Sequence, residues 1–189
     1  MKNRKLIYSF VILVLLSIAG LGLFALSKIN IDYLISYSLN SETAKFPAEV
    51  AEFYTLTFRG GTKDIEYLKQ NFGINPLLAD PTTPKEKAFK YINFFIDKGF
   101  DINTLSYASG LSILHSAIID NDFEVVSFLL AKGADASIKI GYNHIYGKEE
   151  KTTLFGMNSI ELAKHLSKKD QKDRTKIILM LNELNKSHM

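Results

Sequence analysis

Apolar positions divide the chain into two parts. Residues 6–29 read LIYSFVILVLLSIAGLGLFALSKI, an unbroken apolar run with one charge, Lys28. Wound as a helix it is about 36 Å long, enough to cross a hydrocarbon core of roughly 30 Å. Beyond it the apolar positions become periodic. Residues 30–50 predict a leading helix or a stalk, and Ala51–Arg59 a helix with Phe53, Leu56 and Phe58. Lys85–Lys98 predicts one long helix. In residues 110–139, Leu114, Ala117 and Ile118 form one apolar face, and Val125, Val126, Leu129 and Leu130 form another. This spacing predicts two short antiparallel helices, Ile113–Ile119 and Phe123–Lys132. Asp120-Asn121-Asp122 supplies turn and capping groups between them. Gly133 closes the second helix, where a left-handed backbone suits glycine. A further pair is predicted from Asn158–Ala163 and from Arg174–Leu184, whose apolar face holds Ile177, Ile178, Met180, Leu181 and Leu184.

These pairs are copies of one unit. Gly99, at the end of YINFFIDKGFDIN, precedes Gly133 by 34 positions, and a fainter copy ends at Gly73. The best copy carries Gly110, Ser112-Ile113-Leu114-His115, Ala117, Glu124-Val125-Val126, Leu129-Leu130 and Gly133-Ala134-Asp135. That pattern resembles the ankyrin repeat. It departs from the usual pattern at Ile113, Ile118, Asn121 and Ser137, which stand for proline, alanine, glycine and asparagine. The resemblance covers roughly residues 51–184. It implies an all-α, ankyrin-like helix-pair solenoid of about four partly degenerate repeats, preceded by an N-terminal transmembrane helix. A single unit cannot bury its apolar face alone, and about three are needed. The expected organisation is a basic segment at 1–5, a membrane anchor at 6–29, a stalk or leading helix at 30–50, a repeat domain at 51–184 and a tail at 185–189. Two irregularities interrupt the repeats. Asp80-Pro81-Thr82-Thr83-Pro84 breaks the chain where a first helix belongs. Ile138–Met157 reads as an insertion in a return loop, and such insertions map to one face, often the binding face.

Charge sets the expected orientation. The chain has 23 Lys and Arg against 20 Asp and Glu. Residues 1–29 hold Lys2, Arg4, Lys5 and Lys28 and no acid, so the remainder is close to neutral. A near-neutral body argues against nucleic acid as a partner. Basic residues before an apolar span favour the cytoplasmic side. The body is therefore expected outside the cytoplasm, which in a Gram-negative cell is the periplasm, held to the inner membrane by residues 6–29. A cleaved signal sequence is the alternative, though the run exceeds an ordinary signal core of about 7–15 residues. The chain has no cysteine, which removes disulfides, thiolate chemistry and Cys-ligated metal.

No catalytic pattern emerges. His115, His144, His165 and His188 make no metal-ligand spacing. The Glu149-Glu150 doublet cannot provide facing carboxylates. No phosphate loop or nucleophile elbow is present. The basic run Lys168, Lys169, Lys172, Arg174 and Lys176 reads as solvated, interrupted by Asp170 and Asp173. No enzyme activity, cofactor or metal is expected. The ankyrin resemblance implies a structural role for His115 and protein binding through the turns and inner helices. Candidate partner-binding residues are Asn103, Leu105, Tyr107, Ile138, Ile140, Tyr142, His144, Tyr146 and Lys148. The anchored topology and small repeat body resemble those of immunity proteins that neutralise interbacterial toxins such as secreted phospholipases. The expected partner is accordingly a secreted toxin. The alternative is an envelope scaffold or stress-related adaptor that binds a resident envelope protein.

Overall fold

An apolar segment without partners satisfies its backbone only by coiling, and the chain opens with one long helix, α1 (Lys2–Ser27). The computed structural model describes residues 2–39, 46–79, 83–145 and 148–187, with side chains for 8–39, 46–79, 83–144 and 148–184. Within α1, Tyr8–Ser27 is long and apolar enough to cross a membrane. Its side chains are exposed up to Ala25, and Leu26 is buried against the body. There α2 (Ile31–Leu39) begins, burying Ile31, Leu34, Ile35 and Ser38. It packs on α3 (Ala48–Phe58), α4 (Thr62–Gln70) and a 3-10 turn at Asn75–Leu78. Residues 31–39 are thus part of the folded body and not a free stalk.

The rest is a stack of helical units. α5 (Lys85–Asp97) is followed by the pair α6 (Ile113–Asp120) and α7 (Phe123–Ala131), then by α8 (Ser159–Lys169) and α9 (Thr175–Ser187). α6 packs on α7, α8 and the 3-10 turn, and α9 packs on α8 and α7. One core runs through these units, from Ile31, Tyr91 and Phe95 through Leu114, Ile118 and Leu129 to Leu162, Ile177 and Leu181. The outer row is joined by Phe89 of α5 and Phe128 of α7, whose rings stack at 4.0 Å.

The 34-residue spacing is a spacing of identical helix ends. Gly99 has φ of 88° and Gly133 of 89°. At the first, Phe100 N donates to Phe95 O at 2.9 Å; at the second, Ala134 N donates to Leu129 O at 3.0 Å. Both glycines close the orphan carbonyls of a helix by the same left-handed turn. The starts of the pairs also match. Ser112 caps α6 in a reciprocal box with His115, and Asn158 caps α8 in one with Glu161. Each side chain satisfies an otherwise unpaired backbone N–H.

Where the prolines interrupt the pattern, the 3-10 turn stands between α5 and α6. Pro76 is the second residue of this turn, where its missing N–H costs no helical bond, and Pro84 directly precedes α5. Proline lacks the N–H that a helix interior requires, so the first helix of this unit is reduced to one turn.

Two features depart from the sequence reading. The insertion contains a short antiparallel hairpin, β1 (Asn143–Ile145) and β2 (Lys148–Glu150), with His144 opposite Glu149. Arg174, expected in a solvated basic run and inside the last helix, precedes α9 and is only 1% exposed. Its guanidinium forks onto Asp170, at 2.7 and 2.8 Å, and donates to the carbonyls of Ile118 and Ile119 at 3.1 Å each. A planar head with five donors can satisfy all these acceptors from one buried position.

Candidate protein-binding surface

His115 organises the base of this surface without facing it. The ring is fully buried. Ser112 N donates to its Nδ1 at 3.1 Å, so Nε2 carries the proton and donates to Ile138 O at 3.1 Å. The imidazole therefore links the start of α6 to the return loop that follows α7. Burial depresses its pKa from 6.5 to about 4, opposed by the bond to Ile138. The native state holds this histidine neutral while the unfolded chain protonates it near 6.5. Stability from this group is therefore full above pH 6.5 and is lost as pH falls towards 4. Denaturant titrations at pH 7.5 and 4.5 should show a loss of about 2.5 kcal/mol. His115→Gln, lacking a titrating group, should flatten that part of the profile.

Asn103, named as a candidate partner contact, is half-buried and joins neighbouring units. Its Nδ2 donates to Gly133 O at 3.3 Å, and Asp135 N donates to its Oδ1 at 2.8 Å. One amide thus reproduces a backbone pairing between successive turn tips. Asn103→Ala should cost about 1 kcal/mol, measurable as a shift in the unfolding midpoint. Ile138 contributes its carbonyl to His115 and is half-buried. Ile140 is 2% exposed and belongs to the core. Its backbone is pinned on both sides, N donating to Met157 O and its carbonyl accepting from Gly156 N, each at 2.9 Å. Its place among the outward-facing candidates is therefore corrected. The physical reason is that residues 138–140 and 156–157 form the base of the loop, where apolar side chains turn inward.

The remaining candidates gather at the loop tips. Gly141 N donates to Gly110 O at 2.9 Å, and His144 N donates to Ala108 O at 3.1 Å. These bonds lay the insertion against the turn that precedes α6. Leu105 lies against Gly141. His144 stacks on Tyr107 at 3.9 Å and 14°, and its Nδ1 donates to Tyr107 O at 2.9 Å. Tyr142 is exposed and meets Phe155 at 4.5 Å, with Lys151 Nζ over both rings. Lys148 is exposed on β2. Tyr146 lies outside the described residues. The result is an aromatic rim held by backbone bonds, with Tyr107 half exposed.

Beside this rim runs an apolar groove of about 410 Å³. Its walls include Phe72, Pro76, Ala108, Leu111, Ile119 and Asp120. Asn75 braces it, donating from Nδ2 to Leu111 O at 3.1 Å and Ser116 Oγ at 3.2 Å. The groove residues were not among the sequence candidates. Phe72 is 49% exposed, but a lone aromatic in a weak repeat copy carries no signal of its own. Among the described residues no group of three His, Asp or Glu side chains is placed to hold a metal ion.

Residues 109–138 match the family described as Ankyrin repeat. No curated protein and no solved structure matches the chain. An ankyrin-repeat domain is therefore present, and its helix-pair packing extends beyond the matched segment. This repeat and the lack of catalytic motifs are consistent with a non-enzymatic protein that binds another protein.

Proposed function

We propose that this chain is a membrane-tethered protein-binding module whose partner docks on the aromatic rim and the adjoining groove. The observation that carries this reading is the exposed set Tyr107, Tyr142 and Phe72 around an apolar groove, fixed by backbone hydrogen bonds. Large exposed apolar surfaces rimmed by polar groups mark interaction sites, and rigid aromatics bind at low entropic cost. α1 supplies the tether, and the basic residues before it favour a body outside the cytoplasm. The partner is a protein acting at that membrane face, and the role is immunity: binding and neutralising a toxin delivered there. Tethering raises the local concentration of an inhibitor where its target acts. Affinity capture with the full-length protein, followed by co-expression with the captured toxin, tests this reading. Protection from the toxin should fall about tenfold or more in Tyr107→Ala/Tyr142→Ala. A resident envelope complex in the capture, with no toxin, would replace immunity by an adaptor role.

A further inference from the structure

A second apolar surface lies at the other end of the body. Tyr33, Val50, Phe53 and Phe58 are exposed, the two phenylalanines at 64% and 56%. Val50 and Phe53 lie on one face of α3, three residues apart. Phe58 closes the helix, its ring 6.2 Å from Phe53 and 5.4 Å from Tyr54. None of these residues lines the groove or the rim.

Their position relative to α1 is fixed by packing. Leu26, at the end of the apolar run, shares a small buried cluster with Leu34 of α2 and Tyr54 of α3, joined by Ile29 and Phe46. Arg59, just past α3, donates from Nη1 to Ile29 O at 2.8 Å. The same guanidinium is held by Asp64 through Nε, at 2.9 Å, and Nη2. Tyr67 of α4 donates to Asp32 at 3.1 Å. The junction between α1 and the body is therefore clamped, and the corner of α2 and α3 stands beside the point where the apolar helix ends. Side-chain contacts run from Leu26 through Tyr54 and Phe58 to Phe53. Glu52, next to Phe53, is paired with Lys87 at 3.1 Å and Lys90 at 2.7 Å. Lys28 Nζ lies 4.9 Å over the Phe24 ring, a cation suited to the level of lipid headgroups.

We infer that the α2–α3 corner is a lipid-facing foot: Phe53 and Phe58, flanked by Val50 and Tyr33, insert into the surface of the bilayer that α1 crosses. The inference rests on the tethered reading above. Exposed rings at this level exchange water for the headgroup–acyl boundary, as interfacial apolar faces do. The foot fixes the orientation of the stack on the membrane.

The native chain has no tryptophan, so single replacements report without background. Full-length protein carrying Phe53→Trp, Phe58→Trp, Leu21→Trp or Leu179→Trp is reconstituted in phosphatidylcholine vesicles with and without brominated acyl chains. Insertion by about 5–10 Å predicts strong quenching, to roughly half intensity, for Phe53→Trp and Phe58→Trp. Leu21→Trp, in the apolar helix, should also be quenched, and Leu179→Trp, exposed on α9, should not. Quenching of Leu21→Trp alone overturns the foot while leaving the tether intact. No quenching of Leu21→Trp overturns the tether and the foot with it. Blue-shifted, unquenched emission at Phe53→Trp that grows with protein density assigns the patch to a second copy and overturns the lipid reading.

Discussion

Arg174→Ala is expected to destabilise the body by about 2–4 kcal/mol, the order of loss when buried carbonyls are deprived of a charged hydrogen-bond donor. The side chain is 1% exposed and serves four acceptors. Two are the carbonyls of Ile118 and Ile119 in the last turn of α6, where helix-end carbonyls need partners from outside the helix; Ile118 O also accepts from Asn121 N at 3.2 Å. The other two are the oxygens of Asp170, whose carboxyl the guanidinium holds down at about 2. Truncation takes a donor from both carbonyls beneath the α8–α9 connection, leaves Ile118 O only its bond from Asn121 N, and opens a cavity. Because α9 packs on α7 and α8, the last unit should fray first, as expected for a stack held by neighbour contacts. Denaturant unfolding of the full-length protein in detergent, with hydrogen exchange of residues 159–184, measures both effects. Arg174→Lys should rescue only part of the loss, since an ammonium cannot fork onto the carboxylate and reach both carbonyls. A loss below about 1 kcal/mol in Arg174→Ala would show that the buried head is replaceable by solvent.

Gly110→Ala should have an effect of similar size by a different cause. Gly110 has φ of 69°, and a β-carbon there would stand 2.5 Å from Gly141 O and 2.6 Å from Tyr142 O. A left-handed alanine alone costs about 1–2 kcal/mol. Collision with fixed backbone adds about 1–3 kcal/mol. The insertion is the part free to yield, so the bond between Gly141 N and Gly110 O should break and His144 should leave Tyr107. Limited proteolysis should then cut within residues 141–157 at least about tenfold faster than in the parent chain, since opening by 1.4 kcal/mol already multiplies the open population by ten. Unchanged cleavage would mean that the loop docks without this close approach.

The sequence exposed those parts of the fold that rest on local rules. Helix ends at Gly99 and Gly133, the cap at Asp122 and the faces of α6 and α7 depend on residues near in sequence. They were legible because a helix end demands a particular group at a particular offset. The buried place of α2 was harder to read, since an amphipathic stretch beside an apolar run serves equally as a stalk or a core helix. Arg174 was hidden among lysines, and only the position of the carbonyls of Ile118 and Ile119 reveals its role. Ile140 was misplaced for the opposite reason. The sequence marks where a loop is lengthened, while the bonds to Met157 and Gly156 decide where the loop leaves the core. The groove unites Phe72, Pro76 and Ile119 from separate units, so no local pattern could have collected them.

The central claim is that one protein docks on the rim and groove while the outer helices remain free. Site-specific photocrosslinking in native membranes tests it most directly, with a benzophenone side chain replacing Tyr107, Tyr142 or, as control, the exposed Leu179 of α9. The account predicts one common crosslinked protein from Tyr107 and Tyr142 and none from Leu179. Equal crosslinking from all three positions, or the same partner from Leu179 alone, would contradict it.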